Sequence, residues 1–338
     1  MFPDAPLYTS VYDKEKAKWA KDFDIKTSFL QNVTPLRSHT ELLALLMPQV
    51  FESFSFDDYD IVISVTSESA KGIRTKPKTM HICYCLTPTR YLWSGHQDYF
   101  KNNIVRALSS PAISYLRSWD KSASERPNHF VAISSDVQKR IKKYYDKESD
   151  IIFPPITIRK PKNIKKNSEG YFLLVSRLSR FSFYKKVDLV IAAFNQTGLP
   201  LKIVGSGPML KSLKAKSTRN IEFLGELTDE ELAYYYENCK ALIFPGVEDF
   251  GLVMAEAHLF GKPVIALKAG GALDIIIDGI NGQFFRNQNK EALVQALKSF
   301  DERSYNKADI IRSSERFSYD SFKKSFEDLI NKKMLSHK

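Results

Sequence analysis

The chain has 338 residues, more than one ordinary hydrophobic core organises, so two domains are expected. With 43% hydrophobic and 26% charged residues it is neither a disordered nor a fibrous sequence, and no apolar run approaches the roughly 18 to 20 residues that span a bilayer. The net charge of +11 calls for an acidic partner. The basic residues are scattered through stretches such as QKRIKKYYDK and TIRKPKNIKK without a nucleic-acid-binding motif, so the expectation is a phosphorylated substrate or anionic lipid, and no nucleic acid.

The N-terminus lacks the basic-then-apolar pattern of a secretory signal. Five β-rich runs follow in the first half: LYTSVY, IKTSFL, DIVISVT, TMHICYC and HFVAIS. Amphipathic stretches such as HTELLALLMPQVFESF lie between them, and alternation of this kind is the signature of βαβ units and parallel sheets. Cys83 and Cys85 alternate on one face of an apolar strand, and with Cys239 they lack metal-type spacing. They read as core thiols of a reducing cytoplasm. Asp57, Asp58 and Asp60 form a superficial DxD, but they precede the strand DIVISV rather than follow it, so they read as turn residues and no metal is expected.

The stretch PPITIRKPKNIKKNSEG is polar, rich in Pro and Lys and without periodicity, which is linker composition. A second βα series then begins with YFLLVS and continues through LPLKIVG, IEFLG, ALIFPG and PVIAL. The expected organisation is a first Rossmann-like domain over 1–155, a linker over 156–168, a second Rossmann-like domain over 169–320, and a C-terminal helix and tail over 321–338. That helix carries Phe322, Phe326 and Leu329 on one face, suited to packing on either domain. Doubly wound domains bind ligands beyond the carboxyl ends of their strands, so the site belongs on loops that follow strands, at a cleft between the two domains.

After ALIF comes PGVEDFGLVMAEAHLFGKPVIAL, in which Pro245 and Gly246 break the strand and a helix starts near Gly251. Glu248 then lies on the loop and Glu256 on the helix, both able to project beyond the strand's end. The N–H groups of Phe250, Gly251 and Leu252 between them form a helix N-terminus suited to a phosphate or a sugar oxygen. A carboxylate accepts two hydrogen bonds at once and matches vicinal sugar hydroxyls, so the pair suggests a nucleotide sugar.

These residues, with HICYCLTPTRYLW, HFVAISSDVQKRI, LVSRLSRFSFYKKVDLVIAAF, LKIVGSGP, FLGELTDEEL and the run from Phe244 to Phe285, resemble the retaining GT-B glycosyltransferases with two Glu separated by seven residues (glycosyltransferase family 4, group 1). Within that family the chain is similar to a bacterial branch that builds surface polysaccharides, often as mannosyltransferases. The resemblance implies an α/β fold of two Rossmann-like domains, Glu256 on the donor ribose, and Glu248 with its neighbouring backbone on the transferred sugar. It further implies that Arg177 and a Lys of YKKVD, Lys185 with Lys186 in reserve, neutralise the diphosphate, a role that fixed cations fill without a metal. Gly205 and Gly207 of VGSGP sit where backbone approaches a nucleotide, although a tight turn explains a bare GxG equally well. The family pattern places main-chain contacts to the base near Gly225 and Leu227. The paired Gly270 and Gly271 read as a turn into the helix ALDIIID.

Two departures stand out. Where the family has a His that reaches the donor sugar near its 6-hydroxyl, this chain has Leu86, a candidate wall of the sugar pocket; His81 and His96 lie near it in sequence and read as packed side chains. Family members also begin with a strand, a glycine-rich loop and a helix, whereas MFPDAPLYTSVYD reads as the end of that helix followed by the second strand, so the first domain is expected to lack one βα unit. The implied function is transfer of a hexosyl unit, mannose-like or 6-deoxyhexose, from a GDP- or UDP-linked donor to a lipid-linked or polysaccharide acceptor. No further cofactor is implied. The expected place is the cytoplasm, including the anionic inner face of the cytoplasmic membrane. The alternative reading is a nucleotide-sugar binder without transferase activity.

Overall fold

The computed structural model describes residues 1–33, 43–100, 102–161, 170–179 and 184–337. They divide into two units, residues 1–152 with the chain from Phe326 on, and residues 153–325. Positions 162–168 of the expected linker lie outside the described residues.

In the first unit β1 (Leu7–Thr9) and β2 (Ile25–Thr27) pair in parallel as a small sheet of their own. A second sheet has the order β3 (Ile61–Thr66), β4 (Met80–Cys85), β5 (His129–Ala132), β6 (Ser149–Ile151), with every pair parallel. All six residues of β4 are buried, Cys83 and Cys85 among them as free thiols, because a central parallel strand is covered on both faces. Four helices accompany these strands: α1 (Met47–Glu52), α2 (His96–Tyr99), α3 (Asn103–Ala123) and α4 (Ser135–Tyr145). The helix expected over 39–54 is thus shorter. Its first four positions lie outside the described residues, and α1 starts beside Pro48, which has no N–H to give and suits a first helical turn.

A buried ion pair fastens this unit. Lys71 and Asp120, each 1% exposed, are joined, and the Asp120 carboxylate also accepts from Thr89 Oγ1 at 2.9 Å, Trp93 Nε1 at 2.8 Å and the Tyr145 hydroxyl at 2.8 Å. The loop after β4 is therefore tied to the ends of α3 and α4. A carboxylate with its acceptor sites so filled is one of the few forms in which a buried charge is tolerated.

The second unit holds one six-stranded parallel sheet in the order β12-β11-β10-β7-β8-β9: β7 (Phe172–Val175), β8 (Leu201–Val204), β9 (Ile221–Gly225), β10 (Leu242–Phe244), β11 (Val264–Leu267) and β12 (Gly282–Phe285). Its connecting helices are α5 (Val187–Thr197), α6 (Leu210–Lys214), α7 (Asp229–Asn238), α8 (Leu252–Leu259), α9 (Ala272–Ile275), α10 (Lys290–Ser299) and α11 (Lys307–Ser314). Phe172, Leu174, Ile203, Ile243 and Ile265 of the sheet meet Val190 and Phe194 of α5 and Leu293 and Leu297 of α10 in one core. From β7 the chain winds outward through β8 and β9, then returns to the other side of β7 for β10, β11 and β12. The reversal lies between β7 and β10, and at such a point loops diverge and leave a crevice at the strands' carboxyl ends.

The last helix, α12 (Tyr319–His337), settles where the C-terminal segment packs. Phe326 and Leu329 are buried, Phe326 meets the Tyr84 ring edge-on at 5.8 Å, and the helix from Phe326 on counts with the first unit. Among the described residues no helix is long and apolar enough to cross a membrane.

Candidate functional site

The crevice between β7 and β10 is where two of the expected residues meet. Lys185 Nζ donates to Glu248 Oε1 at 2.7 Å, with only 13% and 21% of the two side chains exposed. Gly246 makes the meeting possible, since a Cβ there would stand 2.8 Å from the Tyr184 carbonyl oxygen and 3.0 Å from Lys185 Cα. Any side chain at 246 would push the Lys185 segment off the end of β10. Lys186, by contrast, adopts φ +51° as the N-cap of α5, one of two non-glycine residues with positive φ among those described.

Glu248 is also held from behind. The Gly271 amide donates to the Glu248 carbonyl at 2.9 Å, a Cβ at Gly271 would fall 2.2 Å from the Phe250 carbonyl oxygen, and Gly270 takes φ +59° with its missing Cβ 2.6 Å from the Glu248 carbonyl oxygen. The two glycines do more than turn the chain. They let the loop after β11 lie directly on the loop that carries Glu248, and the helix they precede, α9, is only four residues long because the chain turns extended at Ile276. Phe250, 3% exposed, stacks on Phe153 at 5.7 Å and meets Phe317 edge-on at 5.4 Å, so its side chain is core. Gly251, at φ +92°, is the N-cap of α8 and Leu252, 38% exposed, its first residue, placing first-turn amides without intrahelical acceptors beside Glu248.

Glu256 lies one turn further along α8 and accepts from the buried Tyr236 hydroxyl of α7 at 2.7 Å. Burial pushes its carboxyl above the usual range, opposed by the Tyr236 hydrogen bond and reinforced by the nearby charge of Asp229. Tyr236 in turn stacks on Phe260 at 5.4 Å, which fixes the direction of its hydroxyl. Nothing in the run AYYYEN marked Tyr236 out as the tyrosine that orients Glu256; only the packing of α7 on α8 does so.

On the other side of the crevice Arg177 stands exposed just past β7, without an ion-pair partner among the described residues. Gly205 and Gly207 follow β8 at φ +129° and +148°; a Cβ on Gly205 would fall 2.0 Å from the Ser176 carbonyl oxygen and one on Gly207 2.5 Å from the Leu178 carbonyl oxygen. Their demonstrable work is close packing of two backbone loops, which also sets the Arg177 backbone. Gly225, at φ +77°, ends β9 and accepts from the Gly205 amide at 2.6 Å, with half-buried Leu227 two residues on. Arg177, Lys185, Gly205, Gly225, Leu227, Glu248 and Glu256 thus follow four neighbouring strands, β10, β7, β8 and β9.

In the first unit Leu86 lies just past the end of β4, half-buried, its amide donating to the Thr66 carbonyl at 2.8 Å. His81 is 0% exposed, hydrogen-bonded through Nε2 to Ser64 at 2.8 Å, and burial with the charge of Arg126 pushes its pKa down to about 3. His96 Nδ1 meets the Tyr91 carbonyl at 3.0 Å. Both histidines serve packing. Asp57 and Asp58 form a turn before β3, and Asp57 pairs with Lys76 at 3.0 Å.

Residues 156–317 match the family model described as glycosyl transferases group 1. That match takes in nearly all of the second unit, residues 153–325. Among curated proteins it is similar to D-rhamnosyltransferase WbpZ of Pseudomonas aeruginosa, 29% identical over 217 residues that cover 60% of this chain and 56% of the relative. The O-antigen chain mannosyltransferase C of Escherichia coli is 27% identical over 222 residues, covering 60% and 57%. The chain therefore spans little more than half the length of these relatives. Its fold is GT-B: the sucrose-phosphate synthase of Thermosynechococcus elongatus superposes with TM-score 0.70 at 17% identity, over 93% of this chain and 84% of that one. Anabaena Alr3699/HepE in complex with UDP does so with TM-score 0.64 at 16% identity, over 94% and 89%.

Proposed function

We propose that this chain moves a hexosyl unit, with retention at the anomeric carbon and without a metal, from a nucleoside diphosphate sugar to a lipid-linked or polysaccharide acceptor of cell-surface glycan synthesis. The observation that carries the reading is the Lys185–Glu248 pair at the point where the winding of the sheet reverses. A cation and a carboxylate 2.7 Å apart suit a ligand with an anionic part beside a polyhydroxylated part, because each finds its complement in one place. Lys185 and Arg177 face the diphosphate, where the leaving group gathers charge. The first-turn amides of α8 hold oxygens next to it, Glu248 accepts from the sugar, and Glu256, aimed by Tyr236, accepts from the ribose hydroxyls. Gly205, Gly225 and Leu227 present backbone to the base. Glu256 accepts best when ionised, so its raised pKa makes nucleotide binding weaken on acidification from a higher pH than an ordinary glutamate would give.

The names of the relatives support both sugar classes, one a D-rhamnosyltransferase and the other a mannosyltransferase. Leu86 favours the first, because an apolar side chain past the end of β4 suits a 6-methyl group and leaves a 6-hydroxyl without a partner. A buried hydroxyl without a partner costs about 1 to 3 kcal/mol, enough for at least severalfold discrimination. Leu86→His is expected to shift kcat/KM toward the 6-hydroxyl donor in a comparison of GDP-mannose with GDP-rhamnose. An unchanged ratio would show that Leu86 only packs. The transferase reading itself is tested by following release of nucleoside diphosphate from GDP- and UDP-sugars with and without an undecaprenyl-linked glycan acceptor. Donor binding with no acceptor-dependent release for any donor would instead favour a binder without activity.

A further inference from the structure

We propose that Arg316, outside the set of residues placed on the donor, is a positioning residue for Glu248. That Glu248 serves the transferred sugar rests on the proposed function; that Arg316 holds its loop does not. The Glu248 carbonyl accepts from Gly271, which precedes α9, and Gly271 also lies against the Phe250 carbonyl. Within α9 the Ala272 carbonyl accepts from the Ile276 amide at 2.9 Å, and the chain then turns extended. A helix end of this kind leaves carbonyls that side chains must satisfy. Arg316 Nη2 donates to the Asp274 carbonyl and, at 3.3 Å, to that of Ile275, and Nδ2 of the buried Asn281 donates to Ile275 as well, at 3.1 Å. So α9 is a short strut, with one end resting on the Glu248 loop and the other gripped by Arg316.

The guanidinium is itself fixed, although Arg316 lies at the surface. It stands 4.5 Å from the centre of the Phe317 ring and 5.8 Å from that of Phe153, and a planar cation on aromatic faces keeps its fork of donors aimed. Phe153 and Phe317 meet edge-on at 5.3 Å, and the Ile156 amide donates to the Phe317 carbonyl at 2.8 Å. Both rings touch Phe250, two residues after Glu248. The contacts thus form a closed circuit. They run from the Glu248 loop through Gly271 and α9 to Arg316, and from Arg316 through Phe317 and Phe153 back to Phe250. Removing the guanidinium opens the circuit at the far end of α9. The core that α5 and α10 build on the sheet is made of other residues, so its integrity is a separate readout.

Amide hydrogen exchange of the whole chain, read by mass spectrometry, tests this. In Arg316→Ala the amides of residues 246–252 are expected to exchange at least about tenfold faster than in the parent, while those of α5 and β8 keep the parent rates. Free guanidinium ion, far below denaturing concentrations, should restore the parent rate by taking the place of the lost side chain. Arg316→Lys keeps the charge without the fork and should exchange at an intermediate rate; it carries the test if the alanine variant does not fold. In the transfer assay Arg316→Ala should lower kcat at least about tenfold, because a displacement of about 1 Å costs on the order of a hundredfold, and should leave the Kd of GDP or UDP within about threefold. Glu256 keeps its support from Tyr236 in either variant. Parent-like exchange at 246–252 in both variants, faster exchange throughout the second unit, or no restoration by guanidinium in a folded Arg316→Ala overturns the proposal. A parent chain that transfers no sugar defeats the proposed function instead, and the exchange comparison still decides what holds the loop.

Discussion

Lys185→Met is expected to lower the rate of sugar transfer by about 10²- to 10³-fold, the usual loss when a fixed charge that stabilises a developing anion is removed from a water-poor site. The substitution also leaves Glu248 with its partner gone, so a bare carboxylate faces the diphosphate and opposes it. Lys186→Met is the internal control. Its neighbour's side chain already holds the carboxylate, and Lys186 is committed to the N-cap turn of α5, so its loss should change kcat/KM by less than about threefold. Steady-state kinetics on the two variants, each checked for an unchanged thermal midpoint, decides between them. A severe effect of Lys186→Met with a mild one of Lys185→Met would reverse the assignment.

Acidification from pH 7 to pH 5 is expected to destabilise both units through two histidines that the fold keeps neutral. His81 in the first unit and His258 in the second are fully buried, and burial pushes each from the ordinary 6.5 down to about 3; the positive charges of Arg126 and Arg316 add to the effect, and at His258 the bond from Nε2 to the Asn281 carbonyl, 2.9 Å, opposes it. Between those values the unfolded chain binds a proton on each ring that the folded chain refuses, so stability present above pH 6.5 is lost as pH falls toward 3. At about 1.4 kcal/mol per pH unit, the loss between pH 6.5 and pH 5 is about 2 kcal/mol for each ring. Urea unfolding midpoints at pH 7 and pH 5 measure it, and His258→Asn should flatten the dependence of the second unit. Identical midpoints at the two pH values for the parent chain would show that the rings are not held neutral.

The parallel strands were the most legible part of the fold. YFLLVS, LPLKIVG and ALIFPG became β7, β8 and β10 because a strand covered on both faces reads as a short apolar run between turn residues. The strands not anticipated, β6 (Ser149–Ile151) and β12 (Gly282–Phe285), lie at sheet edges, are short and carry polar or glycine positions, so neither run nor alternation marks them. Local pattern overextended the helices at 39–54 and 272–278, where Pro48 and the extended backbone at Ile276 intervene. In the candidate site, the two glutamates were visible from their placement after a strand end, and Arg177 from the family resemblance. Contacts over long sequence separations were not: the 63-residue span from Lys185 to Glu248, the support of Glu256 by Tyr236, and the closure of Asp120 by four partners all depend on which helix packs on which.

The central claim is that the carboxyl ends of β10, β7, β8 and β9 hold a nucleoside diphosphate, and titration calorimetry with GDP and UDP in buffer containing EDTA tests it most directly. The account predicts that one of the two binds the parent chain and that Glu256→Ala, which removes an acceptor worth about 1.5 to 3 kcal/mol for two hydroxyls, weakens it by about tenfold to a hundredfold while the protein stays folded. Failure of both nucleotides to bind the parent chain, or an affinity that Glu256→Ala leaves unchanged, would contradict it.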